Sequence, residues 1–176
     1  MSNLIKIGLG GGCHWCTEAV FQLLKGVARV QQGWIASEGE NTAFSEAIIV
    51  RYDPKIIDLK TLVVIHLRTH KSTVKLSMRD KYRSAIYTNS KSQSAEVIAI
   101  IKELQAQFEQ LIITKTLPFI EFKESDEMFQ NYYQNNPTKP FCRTYIDPKL
   151  RLLLTKFRKN IALEAVPHLT ISSGNN

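Results

Sequence analysis

The stretch Gly11-Gly12-Cys13-His14-Trp15-Cys16-Thr17-Glu18-Ala19 sets a thiol where a glycine-rich turn passes into a pattern of helical spacing. Ala19, Val20, Leu23 and Leu24 recur at that spacing until Gly26 stops it. Cys13 therefore falls at the helix start. Backbone N–H groups and the helix dipole stabilise a negative sulfur there and draw the thiol pKa down from its usual value of about 8.5. The thiolate is a nucleophile. Cys16 stands one helical turn on, in reach of a disulfide once Cys13 has reacted, which is the arrangement of a redox Cys-x-x-Cys pair. Other readings of these residues fit less well. Tetrahedral zinc needs four ligands, yet the only further cysteine is Cys142, and His66 and His70 lie in a segment of helical pattern. Gly8-Leu9-Gly10-Gly11-Gly12-Cys13 approaches a dinucleotide fingerprint but has Cys13 where the last glycine belongs. Inert packing of the thiols as small hydrophobes is the bland alternative.

The elements that must hold this turn follow from periodicity. Ile5 to Leu9 reads as a strand, and Val27 to Ile35 and Ala47 to Tyr52 as two more around the polar loop Ser37 to Thr42. Asp53-Pro54 ends the third strand, and Asp58 caps a helix whose Leu59, Leu62, Val63 and His66 share a face. After a loop from Lys71 to Lys81, Ser84 to Thr88 reads as a strand. Val97, Ile101, Leu104, Phe108 and Leu111 then predict one long amphipathic helix. A last strand is expected near Pro118 to Phe122, and Ser125-Asp126-Glu127 is expected to open a short helix toward Tyr133. The order β-α-β-β-α-β-α-β predicts an α+β fold, a ferredoxin-like two-layer α/β sandwich with a mixed or antiparallel sheet packed with helices.

The chain has 176 residues, 44% of them apolar, enough for a real core. Neither a basic-then-apolar leader nor a membrane-length apolar run is present, so a soluble cytoplasmic protein is expected. Three cysteines, an odd number, suit a reducing compartment better than a secreted disulfide framework. The net charge of +7 is local: Lys139, Arg143, Lys149, Arg151, Lys156, Arg158 and Lys159 face Asp147 alone across that stretch. Leu150, Leu153, Leu154, Phe157 and Ile161 fall on one side of a basic amphipathic helix after Pro148. That helix either docks on its own domain with a solvated basic face or serves as a surface for anions or a partner.

Several further segments carry a resemblance. Gly11 through Phe21, then Gly26-Val27, then Glu46-Ala47-Ile48-Ile49-Val50-Arg51-Tyr52-Asp53-Pro54, then Tyr82-Arg83-Ser84-Ala85-Ile86-Tyr87 resemble in order the peptide methionine sulfoxide reductase A family. Phe129-Gln130-Asn131-Tyr132-Tyr133 and Asn136 through Arg143 resemble its C-terminal part. The resemblance divides the chain into a catalytic domain over residues 1–150 and a basic helix with a frayed tail over 151–176. It implies an oxidoreductase that converts methionine S-sulfoxide, protein-bound or free, to methionine. By the same resemblance Cys13 attacks the sulfoxide sulfur, Glu46 protonates or hydrogen-bonds the oxygen, Tyr82 donates its hydroxyl to it, and Trp15 walls the methyl group. Cys13 is left as sulfenic acid, which Cys16 or Cys142 resolves, the latter aligning with a recycling cysteine of many members. No metal and no prosthetic cofactor is implied, and thioredoxin or another dithiol is the expected external reductant and partner, with neither membrane nor nucleic acid involved.

The chain departs from the family pattern around the site. His14 stands where phenylalanine is usual, as a flat polar ring in the methyl pocket or as a cation that lowers the Cys13 pKa further. Trp34 replaces a usual tyrosine and offers an indole N–H instead of a hydroxyl. Ser45 and Phe129 each stand where a histidine is usual. Two other functions compete: a general thiol-disulfide oxidoreductase using Cys13 and Cys16, and a degenerate domain that binds through its basic C-terminal helix.

Overall fold

In the computed structural model, which describes residues 3–170, strand β1 (Ile5–Gly10) buries Ile7 and Leu9 on the face that helices cover. Helix α1 (His14–Gln22) follows, then β2 (Val27–Ala36), β3 (Ser45–Tyr52), α2 (Leu59–Arg68) and β4 (Ala85–Thr88). Asp58 caps α2 as expected, its Oδ1 accepting the Thr61 N–H at 2.8 Å. The sheet order is β5-β4-β1-β3-β2-β6, with β5 (Lys115–Pro118) and β6 (Glu121–Glu124) at the edges. All neighbours are antiparallel except β4 and β5. The inner four strands with α1 and α2 make the ferredoxin-like βαββαβ unit, so the mixed-sheet α+β architecture read from the sequence is present, with six strands where five were read.

Ile7, Leu9, Ile48, Val50 and Ile86 pack against α1, α2 and α3 (Lys91–Leu104) in the main core. On the other face Ile35, Ala47, Ile49, Ala85 and Tyr87 form a second cluster, with Leu117, Phe119 and Phe122 beside it. Gly8 lets that face close, because a Cβ there would lie 2.8 Å from Ile35 Cδ1 and 2.9 Å from Tyr87 Cβ. Phe119 N–H donates to Thr88 O and Ile120 N–H to Ala36 O. The turn after β5 therefore spans from the β4 edge to the β2 edge, and the sheet curls into a half-barrel.

Four expectations are corrected. The single strand near Pro118 to Phe122 is two strands on opposite edges, separated by this crossing. The long helix stops at Leu104 because the Gln105 side chain accepts the Ile112 N–H and donates to the Gln110 carbonyl, both at 2.9 Å, which turns the chain back and leaves Leu111 exposed. Ser125-Asp126-Glu127 opens only a 3₁₀ turn: Ser125 Oγ is engaged with Gln32, and α4 (Tyr132–Asn135) begins after Asn131, whose φ is 56°. The basic helix α5 (Asp147–Lys156) follows a π-helical turn, Cys142–Ile146, and ends before Phe157. Beyond it the chain returns to the body, where Ile161 bridges to Leu24 and a last turn, α6, covers Pro167–Thr170. Leu150, Leu153, Ile161, Val166 and Leu169 are all buried in the main core. The Ser172-Ser173-Gly174-Asn175-Asn176 tail, expected to fray, lies outside the described residues. Among the described residues no helix is long and apolar enough to cross a membrane.

Candidate active site

The turn from β1 to α1 is anchored from below by side chains of α2 and the loop after it. His66 Nε2 donates to Gly10 O at 2.8 Å, and Arg79 donates to Gly11 O at 3.0 Å and to Tyr82 O at 2.9 Å. His70 holds Ser84 Oγ at 2.7 Å and lies against Gly11, where a Cβ would come within 2.3 Å of His70 Cδ2. Gly11 is thus a packing requirement. Burial drives the His66 pKa down to about 4 and holds His70 well below its ordinary value, so both rings are neutral supports.

Cys13 is the N-cap of α1, with φ −58° and ψ 126°, and its carbonyl accepts the N–H groups of Cys16 at 3.1 Å and Thr17 at 3.2 Å. Its thiol is held below the ordinary range chiefly by the hydrogen bond from the Cys16 thiol. Burial opposes this, the N–H groups of Trp15 and Cys16 add to it, and the nearby Glu46 charge works against it. The same hydrogen bond, together with burial, pushes the Cys16 thiol up. The pair therefore divides into a more acidic thiol at Cys13 and a less acidic one at Cys16. Together they line a cavity of about 450 Å³ with Tyr82, Phe141, Tyr145 and Lys149.

A second group meets Cys13 from the sheet side. Trp34 on β2 pairs in register with Glu46 on β3, and the His14 ring packs edge-on to Trp34 at 5.2 Å. His14 and Glu46 are both buried. The His14 N–H reaches Glu46 Oε1 at 3.4 Å, its Nε2 lies 3.3 Å from the same oxygen, and its Nδ1 lies 2.8 Å from Gly33 O. Lys81 Nζ stands 3.8 Å from Glu46 Oε2 and 5.0 Å over the Tyr82 ring, linking this group to the cavity.

Trp15 does not line the cavity. It stacks on Tyr132 at 3.9 Å and 4°, with Phe141 edge-on at 5.6 Å and Phe129 at 6.2 Å. The apolar wall of the cavity is instead made by Leu76, Phe141 and Tyr145. Cys142 sits fully buried in the π-helical turn, and burial raises its thiol pKa. Its charge, when ionised, is one of the causes that raise the Cys16 pKa.

Two residues were missed in the sequence. Glu18, buried on α1, accepts the N–H groups of Asn131 and Tyr132 at 3.0 Å each and so fixes the segment that covers Trp15. Lys149 points from α5 into the cavity and donates to Thr69 O, its pKa lowered by burial. Glu18 gave no signal apart from its place in the opening motif, and Lys149 was hidden in a basic run that reads as solvated. Among the described residues no cluster of three His, Cys, Asp or Glu side chains is placed to hold a metal ion.

Comparison with known proteins gives one consistent result. The family described as Peptide methionine sulfoxide reductase matches residues 5–161. The Peptide methionine sulfoxide reductase MsrA of Psychrobacter sp. is 32% identical, the match covering 88% of this chain and 97% of that protein. Among solved structures, reduced Mxr1 from Saccharomyces cerevisiae is 27% identical with a TM-score of 0.70, over 81% of this chain and 91% of that one. The same yeast protein in complex with Trx2 matches with 27% identity and a TM-score of 0.59 over 73% of this chain and 84% of that one.

Proposed function

The chain belongs to the peptide methionine sulfoxide reductase family and reduces methionine sulfoxide to methionine; from that premise we propose that Cys13 is the nucleophile, Glu46 the proton donor, and Cys16 the first resolving thiol. The observation that carries this reading is the Cys13 sulfur at the start of α1, its pKa depressed, hydrogen-bonded by Cys16 and one residue from the amide that meets Glu46. The Cys13 thiolate attacks the sulfoxide sulfur, whose oxygen leaves only as it gains a proton. Methionine departs and the oxygen remains on Cys13 as sulfenic acid. Tyr82, in the same cavity as Cys13, directs its hydroxyl dipole to the developing charge on oxygen. The thiol of Cys16 then attacks the sulfenic sulfur, water leaves, and a Cys13–Cys16 disulfide forms.

Cys142 acts later by exchange with that disulfide, since it is fully buried in the π-helical turn whereas Cys16 stands one helical turn from Cys13. Thioredoxin or another dithiol reduces the final disulfide, a step supported by the relative solved with Trx2 and one that assigns the reaction to a reducing compartment such as the cytoplasm. Electrons travel only through sulfur, so the cycle needs no prosthetic group. The S-epimer is the substrate, with His14 and Trp34 lining its approach to Glu46. Mass spectrometry after a single turnover without reductant tests the assignment: equimolar methionine and a Cys13–Cys16 bridge are expected. Cys13→Ser abolishes release and Glu46→Gln slows it roughly 10²–10⁴-fold. A bridge that excludes Cys13, or equal use of both sulfoxide epimers, overturns it.

A further inference from the structure

The His14 ring is oriented by an acceptor that cannot donate. Its Nδ1 lies 2.8 Å from the Gly33 carbonyl, so Nδ1 carries a proton in every state of the ring. The opposite nitrogen, Nε2, faces Glu46 Oε1 at 3.3 Å, with both side chains more than nine-tenths buried. A neutral ring fixed in this tautomer presents a lone pair at Nε2, and an ionised carboxylate presents another at Oε1. Two lone pairs opposed at this distance in a site that excludes water repel, and a single proton placed between them turns repulsion into a charge-assisted bond. The other charges that reach the pair are Lys81 Nζ, 3.8 Å from Oε2 and exposed, and the Cys13 thiolate at the head of α1. From β6, Lys123 lies over the Trp34 ring at 5.9 Å, on the indole that the His14 edge contacts.

We propose that His14 and Glu46 hold one proton in common between Nε2 and Oε1, and that His14 is the positioning residue that keeps this proton available to the sulfoxide oxygen. The inference rests on the reading of Cys13 and Glu46 given above and deepens it. The chemistry requires one such proton. A thiolate, a sulfoxide and one proton give a sulfenic acid and a thioether: the substrate sulfur is reduced, the Cys13 sulfur is oxidised, the S–O bond of the substrate breaks, and the oxygen ends as the hydroxyl of Cys13. The imidazole gives that proton a second site 3.3 Å from the carboxylate oxygen, whereas the exposed Lys81 ammonium on the other oxygen offers no acceptor to share it with. Burial lowers the His14 pKa from its ordinary value, and the Gly33 hydrogen bond and the Glu46 charge offset only part of that fall.

Two measurements on the intact protein test this. Nitrogen-15 NMR of His14 is expected to show Nδ1 protonated throughout and Nε2 titrating, with the Nε2 midpoint falling by about one pH unit or more in Glu46→Gln, the effect of removing an opposite charge within a few ångströms. In single-turnover methionine release, the alkaline limb of the pH profile is expected to move to lower pH by about one unit or more in both His14→Gln and His14→Phe. The phenylalanine variant keeps a flat ring and so separates the proton from the packing. An Nε2 midpoint unchanged in Glu46→Gln, a bare Nδ1, or an alkaline limb unmoved in both His14 variants overturns the proposal. Should the wild type release no methionine, the assignment of Cys13 and Glu46 falls, while the nitrogen titration still decides the pair.

Discussion

Cys13 takes its reactivity from its neighbour as much as from the helix. The Cys16 thiol is the first cause of the lowered Cys13 pKa, ahead of the backbone N–H groups that the helix start supplies. The resolving residue is therefore also the activating one, and the two roles separate by mutation. In Cys16→Ala the stabilising S–H is gone while burial and Glu46 still oppose ionisation, so the pH at which Cys13 becomes alkylated rises. Rates of iodoacetamide modification of Cys13 across pH check this. Cys13 and Cys16 were legible in the sequence because a three-residue spacing at a helix start has one geometry. The His14–Glu46 contact was not, because it depends on the cross-strand register of Trp34 with Glu46 and on a carbonyl of Gly33, neither of which leaves a local trace. Lys149 was read as part of a solvated basic face, and its burial follows from where α5 docks rather than from its neighbours in sequence.

At the scale of elements, the aromatic cover over Trp15 depends on one carboxylate. Glu18 accepts the amides of Asn131 and Tyr132, which holds the left-handed residue at Asn131 and brings the Tyr132 ring flat against Trp15. Each of these two hydrogen bonds contributes about 0.5–1.5 kcal/mol, since Asn131 is exposed and Tyr132 half-buried. Glu18→Ala is accordingly expected to lower unfolding stability by about 1–3 kcal/mol and to speed amide exchange at Asn131 and Tyr132 ahead of the sheet, as read by urea titration and hydrogen exchange. The core elements themselves were legible, since β1, β2, β3, α1 and α2 each carry a clean period and a cap or stop. The edges were not. Pro118 to Phe122 reads as one strand because periodicity records which face a residue takes and says nothing of which sheet edge it joins. The overlong third helix fails for a related reason, as a single glutamine side chain ended it against its own pattern.

At the scale of the whole molecule, the positive charge and the C-terminal stretch resolve into two separate facts. The basic residues lie on a segment whose apolar side is spent inside the protein: Leu150 and Leu153 from α5, then Ile161, Val166 and Leu169, are buried with Ile7, Phe21 and Leu62. The return to the body is also tied by backbone, with Lys25 N–H donating to Asn160 O at 2.8 Å and Ala162 N–H to Leu23 O at 2.8 Å, at the foot of the helix that carries Cys13. A detachable binding helix would leave the remaining domain folded when removed. Here, ending the chain after Lys156 withdraws Ile161, Val166 and Leu169 from the core, and each fully buried aliphatic side chain is worth roughly 1.5–3 kcal/mol. The sum is of the order of the whole stability of a domain, about 5–15 kcal/mol. The truncated chain is therefore expected to lose its cooperative thermal transition and its methionine sulfoxide reduction together, whereas Lys156→Glu combined with Lys159→Glu, on side chains that face solvent, keeps both. A truncation that melts cooperatively near the full-length Tm would show the C-terminal stretch to be an appendage and would return its basic face to consideration as a binding surface.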